Sequence, residues 1–118
     1  MLKMYQYPTC GTCRKAKKWL DAHQIDYTEV HIVKNPPTKE ELKKLWRCSG
    51  LPLKRFFNTS GKHYREQGIK EKISGTDEDQ WLDFLAADGM LLKRPILVED
   101  NKVTIGFNEE TFNHTWNN

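Results

Sequence analysis

The first third of the chain has the pattern of a strand, a helix and a second strand in succession. Residues 2–7, LKMYQY, are short, apolar and aromatic, as strands often are. From about Thr12 to His23 the apolar side chains recur at helical spacing, and residues 26–33, DYTEVHIV, alternate between two faces. Such a unit pairs its strands in parallel through a right-handed crossover, which excludes most other arrangements of these elements.

The last quarter predicts an antiparallel hairpin followed by a helix. Residues 95–100, PILVED, and 102–107, KVTIGF, are two strand-like runs separated by a turn at Asp100 and Asn101. Asn108 opens a short helix that carries apolar side chains. The predicted fold class is therefore α/β, with a mixed four-stranded sheet built from βαβ and then ββα.

The middle of the chain is helical. Thr38 to Glu41 is a capping box that starts a helix ending at Gly50. Residues 52–68 indicate short helices, and a further helix starts at residues 76–79, where acidic side chains suit the helix dipole.

Composition limits the kind of protein this is. The 118 residues are enough for one domain, and 30% of them are charged. No apolar run reaches the roughly 18 residues of a membrane helix, and the N-terminus lacks the apolar region of a signal peptide. We therefore expect a cytoplasmic protein without a membrane partner. A net charge of +3 is too mild to indicate direct nucleic-acid binding.

Cys10 and Cys13 form a C-x-x-C pair beside the predicted helix start. The unpaired amides and the dipole at a helix N-terminus favour a thiolate, and Arg14 and Lys15 add positive charge. Spacing of i, i+3 returns the second thiol to the same side, where it can attack a mixed disulfide formed at the first. This pattern predicts a redox pair at an exposed helix end, with Cys10 as the nucleophile and Cys13 as the resolving thiol.

Two alternative roles for the cysteine pair stay open. A structural zinc site needs four ligands, and the remaining candidates are Cys48 and four histidines that form no close pair. The two cysteines could also be small buried residues without chemistry. We expect no metal and no bound cofactor, and we interpret Cys48 as a semi-buried structural residue.

Arg94 and Pro95 precede the third predicted strand. Thioredoxin-like folds have a cis-proline at this place, opposite the cysteine pair, whereas an ordinary trans proline opening a strand is the alternative. We predict a cis bond, with Arg94 facing Cys10.

Four stretches together resemble the arsenate reductase ArsC/Spx family. They are YPTCGTCRKAKKWL (7–20), PPTKEEL (36–42), KRPIL (93–97) and IGFNEE (105–110). The resemblance covers nearly the whole chain and implies a single thioredoxin-like domain, residues 1–118, with a helical insertion at roughly 36–90. It also implies a thiol donor as co-substrate, either thioredoxin, glutaredoxin or a low-molecular-weight thiol.

The same resemblance assigns the remaining site residues. Thr12, in the Cys-Gly-Thr motif, and Arg94 match anion-binding positions, Arg65 is a displaced substitute for a second arginine, and Pro95 shapes the site. Three positions differ from the arsenate reductases of the family, where histidine, arginine and arginine are replaced by Gln6, Asn58 and Lys102. We therefore expect a thiol–disulfide reductase with weak or absent arsenate activity.

A second function follows from the Spx branch of the family. Its members are redox-sensing transcription regulators that dock on the C-terminal domain of the RNA polymerase α subunit. Gly50 matches a glycine of that docking surface, so the alternative function is a regulator without turnover.

Overall fold

The computed structural model describes residues 1–117. These residues divide into two compact units, one formed by Met1–His31 with the stretch from Arg94 onward and one formed by Ile32–Lys93. The second unit contains the predicted helical insertion, whereas the assignment of the whole chain to one domain stays a prediction. Within the described residues, no helix is both long and apolar enough to cross a membrane.

Within the described residues, the first unit contains a mixed four-stranded sheet. Its strands are β1 (Leu2–Gln6), β2 (Tyr27–His31), β3 (Ile96–Glu99) and β4 (Lys102–Ile105), in the order β2-β1-β3-β4. Strands β1 and β2 are parallel, and β3 is antiparallel to both β1 and β4. This sheet confirms the βαβ and ββα units and gives the chain a thioredoxin-like fold.

Two helices cover this sheet. Helix α1 (Gly11–Ala22) connects the parallel strands, and helix α6 (Glu109–Trp116) follows the hairpin. The Asn108 side chain caps α6 by accepting a hydrogen bond from the Thr111 amide at 3.0 Å. Burial of apolar surface between helices and sheet stabilises this unit. Its core consists of Leu2, Met4, Cys13, Ala16, Trp19, Leu20, Leu97 and Phe112.

The second unit is helical. It contains α2 (Lys39–Ser49), α3 (Lys62–Glu66), α4 (Ile69–Ser74), α5 (Glu78–Ala87) and two 3₁₀ turns, Leu53–Phe56 and Gly89–Leu91. The predicted capping box is present, because the Glu41 amide donates to Thr38 Oγ1 at 3.1 Å and the Thr38 amide donates to Glu41 at 3.0 Å. Gly50 ends α2 in the left-handed conformation, with φ of 68°, which a residue without Cβ adopts at little cost.

The predicted elements match the structure except in the short helical segments. The sequence pattern does not predict helix α4, because six residues are less than two turns and give little periodicity. A second capping box joins Asp77 to Gln80 at the start of α5, in addition to the acidic character that predicts this helix start.

Candidate active site

Cys10 lies at the point where β1 turns into α1. It is the N-cap residue of the helix, with extended backbone angles, and its own amide donates a hydrogen bond to the Tyr7 carbonyl at 3.0 Å. The Cys13 amide donates to Cys10 Sγ at 3.4 Å. The sulfur therefore takes the place that a serine or aspartate oxygen takes in most helix caps.

This position favours the thiolate of Cys10. Partial burial raises the pKa of the thiol, but hydrogen bonds from the Cys13 amide and thiol, the charge of Arg94 and the Thr12 amide together outweigh it. The pKa of Cys10 is therefore below its ordinary value. Cys10 is also partly exposed.

Cys13 has the opposite properties. Its side chain is 1% exposed and packs among the apolar residues of α1. Burial is the main cause that raises its pKa to about 12, and the charge of Cys10 adds to it, although the Tyr7 amide donates to the Cys13 sulfur and opposes the rise. Cys13 is thus a protonated thiol that donates a hydrogen bond to Cys10.

The expectation that both cysteines lie at an exposed helix end is wrong for Cys13. The same i, i+3 spacing that brings it to Cys10 also places it on the apolar face of α1, which packs on the sheet. Attack by an outside reagent is therefore directed to Cys10.

Arg94 is brought to this loop by strand pairing. Tyr5 of β1 lies opposite Ile96 of β3 in antiparallel register, so the residues before β3 lie beside those after β1. The Arg94–Pro95 bond is cis, as predicted. The Arg94 guanidinium carbon lies 5.6 Å from the centroid of the Tyr7 ring, and its charge lowers the pKa of both Cys10 and Cys13.

The other two predicted anion ligands, Thr12 and Arg65, belong to different units. Thr12 is exposed in the first turn of α1, where its amide faces Cys10 Sγ. Arg65 is exposed on α3 in the second unit, and its role as an anion ligand stays a prediction. Helix N-terminal amides, Arg94 and a thiolate suit an anionic or disulfide substrate.

The positions that differ from the arsenate reductases have varied surroundings. Gln6 is buried at the end of β1, and its Oε1 atom accepts no hydrogen bond from the described residues. The backbone amide of Asn58 donates a hydrogen bond to the Leu91 carbonyl at 2.7 Å. Lys102 is exposed at the start of β4, and its Nζ atom lies 5.8 Å from the Trp116 ring centroid.

Sequence reasoning overlooked Tyr7. Its ring contacts Arg94 and also lies edge-on to His31, with centroids 5.5 Å apart. An aromatic residue at the end of a strand and beside the cysteine loop was the available signal. Among residues 1–117, no group of three or more His, Cys, Asp or Glu side chains could hold a metal ion.

Comparison with known proteins identifies the family. The model described as "ArsC family" matches residues 5–115. The chain belongs to the ArsC family. It is 56% identical to YusI of Bacillus subtilis, an uncharacterized protein, over 98% of both chains.

Two further proteins that are similar to this chain have names that describe a function. The chain is 34% identical to a protein named global transcriptional regulator Spx 2 of Bacillus cereus, over 93% of this chain and 82% of the relative. A crystal structure described as a possible arsenate reductase from Streptococcus mutans superposes with a TM-score of 0.86 and 45% identity, covering 96% of this chain and 98% of the other. The proteins similar to this chain thus include one named as a transcriptional regulator and one described as a possible enzyme.

Proposed function

We propose that this protein is a thiol–disulfide oxidoreductase in which Cys10 is the nucleophile and Cys13 the resolving thiol. The observation that carries the proposal is the opposite character of the two sulfurs. Cys10 is partly exposed with a lowered pKa, whereas Cys13 is buried, protonated and hydrogen-bonded to Cys10. Such a difference assigns the first attack to one thiol and the second to the other.

The first step consumes the Cys10 thiolate. It attacks one sulfur of a substrate disulfide, forming a mixed disulfide at Cys10, while the other substrate sulfur leaves as a thiolate and takes a proton from solvent. This step removes the negative charge from Cys10. Because that charge is one cause of the high pKa of Cys13, the Cys13 thiol then ionises more readily.

The second step releases the product. Cys13 gives up its proton to solvent and attacks Cys10 Sγ, forming the Cys10–Cys13 disulfide and displacing the second substrate sulfur as a thiolate, which takes up a proton from solvent. The substrate gains two electrons and the protein dithiol loses two. An external thiol donor, either thioredoxin, glutaredoxin or a low-molecular-weight thiol, restores the dithiol by the same exchange.

The test is a turnover assay with three substrates and matched cysteine variants. Glutathionylated peptide, a small generic disulfide and arsenate are each supplied with thioredoxin or glutaredoxin as donor. We expect disulfide reduction by the wild type and by Cys48→Ser, none by Cys10→Ser, and a trapped mixed disulfide at Cys10 in Cys13→Ser. Activity that survives Cys10→Ser, or no reduction of any disulfide, would overturn the proposal.

Arsenate is the substrate for which we expect weak or no turnover. Each missing charged ligand removes about 1.5–3 kcal/mol of hydrogen bonding to an anion, which is roughly a tenfold to hundredfold change in rate. Comparison of the wild type with Gln6→His tests this expectation at the position nearest the cysteine loop. Robust arsenate reduction by the wild type would show that Gln6 and the other two differences matter little.

The second candidate function is a redox-sensing regulator that binds the C-terminal domain of the RNA polymerase α subunit. The likeness to Spx 2 supports this function. So does a group of exposed basic residues on α2, the helix that Gly50 ends: Lys43, Lys44 and Arg47. A pull-down with the α subunit, using reduced and diamide-oxidised protein, separates the two functions. Binding that depends on oxidation state, without disulfide turnover, would favour the regulator.

A further inference from the structure

Tyr7 joins the strand β1 to the loop that carries both active-site thiols. Its carbonyl accepts a hydrogen bond from the Cys10 amide at 3.0 Å, and its amide donates to the Cys13 sulfur. These are backbone interactions that almost any residue type would supply.

The Tyr7 ring contacts a cation and a second ring. The Arg94 guanidinium carbon lies 5.6 Å from its centroid, and the His31 ring packs against it at 5.5 Å with an interplanar angle of 77°. The negative face of an aromatic ring attracts a guanidinium, and this contact restricts a side chain that otherwise has many rotamers. The Tyr7 ring thus stabilises one position of the Arg94 guanidinium.

We propose that Tyr7 is a positioning residue whose ring holds the Arg94 guanidinium in place, so that the positive charge of Arg94 continues to act on the reactive Cys10 sulfur. The inference rests on the proposed function, because it gives the ring a part in preparing the nucleophile. The ring acts through Arg94 and takes no part in bond formation. Tyr7 is partly exposed and lies outside the core of the first unit, so core packing does not account for its place.

The ring face, rather than the phenol hydroxyl, is the part that this role requires. Tyr7→Phe keeps a ring of the same shape and should preserve the position of Arg94. Tyr7→Leu removes the ring, and Tyr7→Met is a second ring-free variant with an unbranched side chain. Arg94→Gln removes the charge itself and serves as the background for the double variants.

The measurement is the pH–rate profile of Cys10 alkylation by iodoacetamide. Mass spectrometry with fragmentation between Cys10 and Cys13 assigns the label to one sulfur. We expect the midpoint for Tyr7→Leu and Tyr7→Met to move to higher pH, corresponding to about a twofold to fivefold smaller acid dissociation constant of Cys10. Tyr7→Phe should keep the wild-type profile.

The double variants decide whether the ring acts through Arg94. In the Arg94→Gln background, Tyr7→Leu should move the midpoint no further. An unchanged profile in both ring-free variants, or an equal change with and without Arg94, would overturn the inference. Thermal unfolding of each variant confirms that the profile is measured on folded protein. Since alkylation requires no turnover, a protein that reduced no disulfide would refute the proposed function and leave this result standing.

Discussion

The amide of Cys13 lies 3.4 Å from Cys10 Sγ and donates a hydrogen bond to it. The residue that we propose as the resolving thiol therefore also stabilises the nucleophile through its backbone. Both interactions follow from one helical turn, because the N-cap and the third helical residue face each other. Changes to the Cys13 side chain can thus be made while this backbone contact is retained.

We predict that Cys10 is the first thiol to be alkylated at neutral pH. The pKa of Cys10 is lowered and the residue is partly exposed, whereas Cys13 is buried with a pKa of about 12. Limited treatment with iodoacetamide, read by peptide mass spectrometry, should label Cys10 before Cys13 and Cys48. Preferential labelling of Cys48 would contradict the assignment of the nucleophile.

We predict that diamide or mild peroxide forms a Cys10–Cys13 disulfide that dithiothreitol reverses. Peroxide converts the Cys10 thiolate to a sulfenic acid, and the hydrogen-bonded Cys13 thiol condenses with it and releases water. Non-reducing peptide mapping should find the link in the wild type and in Cys48→Ser. If both thiols are shown to react with other reagents but never with each other, the redox pair is refuted.

We predict that Gly89→Ala destabilises the second unit by about 2–3 kcal/mol. A Cβ atom built at Gly89 overlaps the Ile32 carbonyl oxygen, which is backbone and cannot move aside easily. Gly75→Ala is the matched control, because a Cβ there meets nothing within 4 Å and the φ of −109° suits alanine. Urea unfolding measures both, and equal stability of the two variants would show that the backbone near Gly89 adapts.

We predict that the negative charge of Asp88 stabilises the folded protein at neutral pH. Burial raises the pKa of Asp88, but hydrogen bonds from His63, Gln67 and the Met90 amide outweigh it, so the pKa lies below its ordinary value of 3.8. The contribution is therefore present above that value and is lost as the pH falls through the lower pKa of the folded state.

The variant Asp88→Asn tests this pH dependence. It should lower the free energy of unfolding by about 1 kcal/mol near neutral pH, and the difference from wild type should shrink below about pH 4. Asp26→Asn, at an exposed aspartate, is the control. A difference for Asp88→Asn that stays constant between about pH 7 and about pH 3 would mean that the charge of Asp88 contributes nothing.

The parts of this protein that were predictable from sequence are those governed by neighbours along the chain. Apolar periodicity over residues 12–23 predicted α1, alternation predicted β2, and the Thr38–Glu41 box marked the start of α2. Cap and dipole effects act within one turn, so the part of the thiolate character of Cys10 that comes from the helix start follows from the residues around it in the sequence.

The tertiary structure alone decided the contacts that combine distant segments. The pairing of β3 with β1 brings Arg94 to Tyr7, which is far from it in the sequence. Packing of α1 on the sheet buries Cys13 and separates its chemistry from that of Cys10. Spacing along a helix tells which residues share a face, but only the packing of that face on other elements determines which of them lose contact with water.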